Sequence, residues 1–210
     1  MSLNDEQREF RAAVRQLAED RIAPRSAEVD ASGQFSWENF KDLVSMDLPG
    51  LSIPPEYGGS GADHVSQAIM VEELARVCAS TSLSMAVNGL SMTPIVNWGS
   101  EGLKARYLPA VASGESQGSY CLSEADAGSD VAAMTTRAER DGDDYVLTGR
   151  KQWITNAGIS DIYVVFARTD PGAGTHGISA FVVERSMGLE IGKLERKLGI
   201  HGSPTRPPTR

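Results

Sequence analysis

Two segments of this sequence carry residues whose types and spacing could do chemistry. The first is Tyr120-Cys-Leu-Ser-Glu-Ala-Asp-Ala-Gly-Ser-Asp130, which reads as a strand running into a polar loop. Gly128 allows backbone to approach a bulky group closely. Successive amides in such a loop form an anion-binding concavity. The hydroxyls of Ser123 and Ser129 donate hydrogen bonds without adding charge. A heteroaromatic ring or a pyrophosphate would suit that donor set, although Ala-Gly-Ser-Asp is equally the chemistry of a solvated β-turn. The second segment is Gly149-Arg-Lys-Gln-Trp-Ile-Thr-Asn-Ala-Gly158. Trp153 and Thr155 lie two apart and share a face if the segment is a strand. An aromatic plane beside a hydroxyl could pack on a planar cofactor and bond its edge. A cross-strand packing pair accounts for the same spacing.

The elements that must hold these segments differ between the two halves of the chain. Leu3, Phe10, Val14, Leu17 and Ile22 recur at helical spacing, with Asn4 and Gln7 as a capping box and Pro24 and Gly33 at the exit. A short helix follows Ser36. The dense prolines and glycines of 48–61 predict an extended loop and a turn. Helical periodicity resumes over about 65–78, 82–98 and 101–112. The stretch 82–98 has almost no charge and predicts a helix buried on most sides. Plain helix packing is the favoured role for Ser82 to Trp98, over a part in shaping a ligand pocket. From Gly114 the pattern becomes short β-branched and aromatic runs: 145–148 after the Asp141-Gly-Asp-Asp144 turn, then 162–167, 178–183 and 188–192. Helices followed by strands as separate blocks predict an α+β chain, an N-terminal α-helical domain and then a small antiparallel β domain.

Composition narrows the function. With 210 residues, 40% apolar and 23% charged, the chain is an ordinary globular protein able to bury a sizeable core. A net charge of −8 argues against a nucleic-acid surface and against anionic membranes. Cys78 and Cys121 are too few for a disulfide framework and predict a reducing compartment, with Cys78 a small buried thiol. The acidic, amphipathic N-terminus lacks a secretory signal, and no run of 18 apolar residues predicts a membrane span, so the chain reads as cytoplasmic. His64, His176 and His201 lack ligand-like spacing, so no metal site is expected. Gly58, Gly59 and Gly61 fit a turn better than a phosphate cradle, because no helix-opening glycine fingerprint follows a strand.

Taken together, the two segments resemble the acyl-CoA dehydrogenase family. Residues 121–133 meet the family's first signature at each constrained position. Lys151-x-Trp-Ile-Thr-Asn156 follows at the family's spacing. So do Ile53-Pro-x-Glu-Tyr-Gly-Gly-Ser-Gly61, Tyr107-Leu-Pro109 with Ala112-Ser-Gly-Glu115, His176-Gly-Ile-Ser-Ala-Phe181 and Lys197-Leu-Gly199. The match runs from residue 1 to about 206.

The resemblance implies an N-terminal helical domain over 1–115 and a flavin-facing middle β domain over 116–206. It further implies FAD, an acyl-CoA substrate, α,β-dehydrogenation of the thioester, an electron-transferring flavoprotein as acceptor, and a homo-oligomer. By position, Tyr120, Cys121, Leu122, Ser123, Gly128 and Ser129 would line one side of the flavin and Trp153, Ile154 and Thr155 the other, with Ser129 shared with the acyl-CoA. Glu124, a carboxylate inside the motif, is expected to make structural hydrogen bonds. The family's catalytic base comes from later segments, so no catalytic residue is assigned here. Related flavin oxidases and monooxygenases on the same scaffold, or a non-catalytic acyl-CoA or partner-binding module, are the alternative readings. Residues 207–210 depart from the family pattern, and two prolines there are not expected to continue a paired central strand. The family's C-terminal helical domain has no counterpart in the sequence. That implies a truncated, frame-shifted or split-gene product with exposed apolar faces, weak flavin binding and no dehydrogenation as a lone chain.

Overall fold

A computed structural model describes residues 3–209. Asn4 opens helix α1 (Asp5–Leu17). Its side-chain oxygen accepts from the Gln7 amide at 2.7 Å, and the Gln7 side chain accepts from the Asn4 amide at 3.2 Å, so two orphan donors are satisfied reciprocally. The expected exit at Pro24 is not where the helical path ends. A π turn over Ala18–Ile22 and a 3-10 turn over Ala23–Arg25 carry it into α2 (Ser26–Ser32). Pro24 falls in the first positions of a new turn, where its missing N–H removes no bond. Gly33, left-handed at φ 64°, ends α2. Ser36, Asp63 and Ser100 cap α3 (Trp37–Val44), α4 (His64–Ala75) and α6 (Glu101–Ala112). The helix between them, α5 (Ala79–Trp98), begins without a side-chain cap.

Helices α1 and α4 are joined by a charge cluster. Glu73 is fully buried, and Arg11, Arg15 and Arg76 donate to its two oxygens at 2.7 to 2.9 Å. Val14, Leu43, Leu48, Leu74 and Met85 form the apolar core beside it. The near-absence of charge in α5 predicted burial on most sides. The buried face is instead built from small hydroxyl residues and Asn88, together with Met85, Met92 and Ile95, while Leu90 and Trp98 are exposed. Serine hydroxyls can be buried there because they bond locally, as Ser91 does to the Asn88 carbonyl at 2.7 Å.

The second half forms β1 (Gly118–Cys121), β2 (Arg137–Asp141), β3 (Asp144–Thr148), β4 (Ile154–Thr155), β5 (Ile162–Arg168), β6 (Ile178–Glu184), β7 (Glu190–Ile191), β8 (Thr205–Arg206) and β9 (Pro208–Thr209). Pairing is mixed rather than all antiparallel. β6 runs antiparallel along the whole of β5, and β2 and β3 close a hairpin through Gly142 and Asp143. β1, however, pairs parallel with β5 from Gly118↔Ile162 to Cys121↔Val165, and β2 touches β5 in parallel at Arg137↔Arg168. β1 and β2 therefore lie end to end on one edge of β5. Residues 122–136 leave that edge and return to it without reversing direction, so no hairpin is imposed.

β5 alternates between two cores. Ile162 and Val164 pack with Met92, Ile95, Leu108 and Val111 of α5 and α6. Tyr163, Val165 and Ala167 pack with Cys121, Leu147, Ile154 and Val183 on the opposite face. The prolines after Arg206 do enter a paired segment, contrary to expectation: Pro208 and Thr209 pair with Ile191 and Glu190. They can do so because they supply acceptors. The Pro207 carbonyl takes the Gly192 amide and the Pro208 carbonyl takes the Lys151 amide, each at 2.9 Å. Among the described residues no helix is long and apolar enough to cross a membrane.

Candidate cofactor site

The excursion 122–136 and the segment 149–156 meet beside the end of β1. The Gln152 amide donates to the Ser123 carbonyl at 2.9 Å. One step earlier, the Lys151 ammonium donates to the Leu122 carbonyl at 3.0 Å and to Glu124 Oε1 at 2.8 Å. One strand over, the Ser119 hydroxyl donates to the Thr155 carbonyl at 2.9 Å. The two motifs are thus neighbours through main-chain and buried side-chain bonds.

Glu124 is buried and engaged on both oxygens. Oε2 accepts from the Thr135 amide at 2.7 Å and its hydroxyl at 2.8 Å, and Oε1 accepts from the Thr136 amide at 3.0 Å as well as from Lys151. Burial alone would push this carboxyl up. The bonds from Lys151, Thr136 and Thr135 overcome that and hold it at about 2. A carboxylate so committed is a structural group, as its place in the motif led us to expect. Gly149 makes this packing possible, since a Cβ there would lie 2.7 Å from Thr136 Cα and against Thr136 Oγ1. Farther along the excursion, Glu124 and Ala127 exchange backbone bonds at 3.0 and 3.2 Å around an Ala125-Asp126 turn. Asp130 caps the next 3-10 turn through the Ala132 amide at 3.1 Å. The Arg168 guanidinium donates to the Met134 carbonyl at 2.8 Å and to the Ala132 carbonyl, tying the returning strand to β5.

The candidate residues divide by what they expose. Tyr120, Leu122, Ser123 and Thr155 are half-buried, and Gly128, Ser129 and Trp153 are exposed. Cys121 and Ile154 are not: their side chains lie within the second sheet core, 0% and 2% exposed, and reach a ligand only through the main chain. Burial raises the Cys121 thiol well above its ordinary value. Trp153 does not share a strand face with Thr155 in the simple alternating sense. It stands at φ 57°, so β4 begins only at Ile154, and the indole is 54% exposed. A bulky residue held left-handed is uncommon, and such positions concentrate at ligand sites. The hydroxyls of Ser123, Ser129 and Thr155 have no protein partner among the described residues, and space beside Gly128 is open. The junction therefore presents uncommitted hydroxyls, an exposed indole and an open glycine loop, groups able to bond and pack against a polar, planar ligand.

On the opposite side of β1, Tyr120 and Leu122 face an apolar cavity of about 780 Å³. Val131, Phe166 and Phe181 line it from the sheet side, and Leu90, Thr93, Pro94 and Trp98 from α5. The α5 stretch thus does more than pack against other helices. Among the described residues no cluster of three or more His, Cys, Asp or Glu is placed to hold a metal. Cys78 and Cys121 are free and buried.

Sequence reasoning missed Lys151, Asn156 and Arg168. Asn156 is buried at φ 64°, with its side-chain amide donating to the Ser84 carbonyl of α5 at 2.8 Å. Arg168 carried a signal, a charge ending the apolar run 162–167, whereas Lys151 stands between Arg150 and Gln152 and its charge alone marked nothing.

Residues 4–115 match the model of the acyl-CoA dehydrogenase N-terminal domain and residues 119–209 that of the acyl-CoA dehydrogenase middle domain. A probable acyl-CoA dehydrogenase of Mycobacterium tuberculosis is 51% identical over 204 residues, 97% of this chain and 52% of the relative. The butyryl-CoA dehydrogenase structure from Megasphaera elsdenii superposes with a TM-score of 0.93 at 35% identity, over 100% of this chain and 56% of that one. A chain in a structure described for an electron transferring flavoprotein of Acidaminococcus fermentans does so with a TM-score of 0.94 at 37% identity, over 100% and 56%. The chain spans about half the length of the relatives it matches.

Proposed function

The chain belongs to the acyl-CoA dehydrogenase family, and on that premise we propose that it forms one wall of an FAD site for α,β-dehydrogenation of an acyl-CoA thioester. The observation that carries this reading is the junction of the two motifs at Ser123 and Gln152, with the hydroxyls of Ser123 and Thr155 left without protein partners beside it. FAD, when bound, supplies the hydride acceptor. The protein's part is to hold and orient. Main-chain groups of 120–123 and the Ser123 hydroxyl address one edge of the ring. Trp153 and Thr155 address the other. The 128–129 amides and the Ser129 hydroxyl serve the chain leading to the pyrophosphate and the neighbouring thioester. The apolar cavity beyond Tyr120 and Leu122 is of a size and character for acyl or pantetheine carbon. Glu124 is not the proton acceptor, because both its oxygens are engaged. No base is assigned among the site residues. An electron-transferring flavoprotein is the proposed acceptor, a homo-oligomer the proposed assembly, and a reducing, cytoplasmic compartment suits two buried free thiols.

Titration of the 210-residue chain with FAD, followed by flavin fluorescence and visible absorbance, tests the reading. Saturable binding weakened by Trp153→Ala and Ser129→Ala supports it. Absence of binding to a chain that is folded by circular dichroism overturns it.

A further inference from the structure

We infer that Lys151, through its buried pair with Glu124, is the positioning residue that sets the spacing of the two flavin-facing segments; the inference rests on the FAD reading above. Lys151 is 3% exposed, and its ammonium bonds two groups directly and a third piece of chain through one of them. It bonds the Leu122 carbonyl on the outgoing arm of the excursion and Glu124 at the start of its loop, and through Glu124 it reaches the Thr135 and Thr136 amides on the returning arm. Its own amide is held by the Pro208 carbonyl at 2.9 Å, so the backbone carrying the ammonium is fixed independently. Ser123 and Gln152 sit between these anchors, and Trp153 follows directly. A buried ion pair is a poor source of net stability compared with apolar packing, because desolvating both charges offsets most of their attraction. What it supplies here is geometry. One side chain, acting with Glu124, ties both ends of a 15-residue excursion (122–136) to the segment that carries the indole.

The test compares FAD affinity of folded protein among the wild type, Lys151→Met, Lys151→Arg and the double variant Lys151→Met/Glu124→Gln. The double variant removes both charges together, so no lone charge stays buried if the single variant fails to fold. Glu73→Gln, in the remote arginine cluster, serves as a control for lost stability alone. The expected result is FAD binding weakened at least tenfold by Lys151→Met and by the double variant, roughly the scale seen when a group supporting a ligand-holding residue is lost. Partial rescue is expected in Lys151→Arg, and unchanged affinity in Glu73→Gln. The bound-flavin absorbance bands should shift in the Lys151 variants, which a purely structural role would not cause. Wild-type binding that the folded Lys151 variants reproduce, in affinity and in spectrum, overturns the positioning role and leaves the FAD reading standing. No binding by the folded wild type overturns both.

Discussion

The Ser123 carbonyl accepts the Gln152 amide at 2.9 Å, and that one backbone bond seats the hydroxyl of Ser123 beside the turn that presents Trp153. Neither Ser123 nor Thr155 commits its hydroxyl to protein among the described residues, so removing either should leave the fold alone. Ser123→Ala and Thr155→Val are expected to weaken FAD binding about fivefold each, one hydrogen bond of about 1 kcal/mol. Stability should change by less than about 0.5 kcal/mol. Flavin titration paired with urea unfolding checks both halves. A large loss of stability would mean the hydroxyls serve the fold.

Asn156 joins the β unit to α5 through the Ser84 carbonyl, and its left-handed backbone is one that asparagine tolerates better than alanine. Asn156→Ala loses the buried bond and adds backbone strain, for a cost of about 2 kcal/mol. Asn156→Gly loses the bond but not the conformation and should cost about half as much. Equal urea midpoints for the two variants would show that φ contributes nothing at this position.

The N-terminal helices were legible because their determinants are local. Asn4 with Gln7 is a capping box in sequence and in space, and 101–112 was predicted to the residue as α6. The segment 120–130 was legible as a strand running into a polar turn because its strand residues and its Ala-Gly-Ser-Asp turn residues follow one another directly. Three features were hidden for one shared reason, which is that they depend on partners distant in sequence. The parallel register of β1 on β5 joins residues 44 positions apart, from Gly118↔Ile162 to Cys121↔Val165. The burial of Lys151 depends on Glu124, and alternation alone would have placed it on the same face as exposed Trp153. Cys121 and Ile154 matched the motif yet turn into the core, since a motif position does not say which face of a strand it occupies.

Gly149 marks where the second motif crosses the returning arm of the excursion at Thr136. A Cβ there would meet Thr136 Cα and Cβ at 2.7 Å, and the backbone on the other side is fixed by the Lys151 to Pro208 bond. Gly149→Ala should therefore cost about 2 kcal/mol by overpacking. It should also push the Thr136 amide away from Glu124, weakening FAD more than the stability loss explains. Measuring affinity and urea midpoint on the same preparation separates the two effects. An unchanged midpoint would show that the contact relaxes freely.

Acid should expose the contribution of the buried carboxylates. Hydrogen bonds from Arg15 hold Glu73 at about 2 against the opposing effect of burial, with Arg11 and Arg76 adding to them, and Glu124 is held equally low. The ordinary value for both is 4.5, so the unfolded chain takes up their protons first as pH falls. The stability they supply is complete above that ordinary value and drains as pH drops toward about 2, the folded value. Glu73→Gln should therefore be less stable than wild type near neutral pH by about 2 kcal/mol. That is below the range for a fully buried pair, because the arginines are partly exposed. The gap should narrow steadily as pH falls, because the wild type loses at low pH what the variant never had. Urea midpoints measured in steps across that acid range decide it. A gap that stays constant would mean that Glu73 contributes through packing rather than charge.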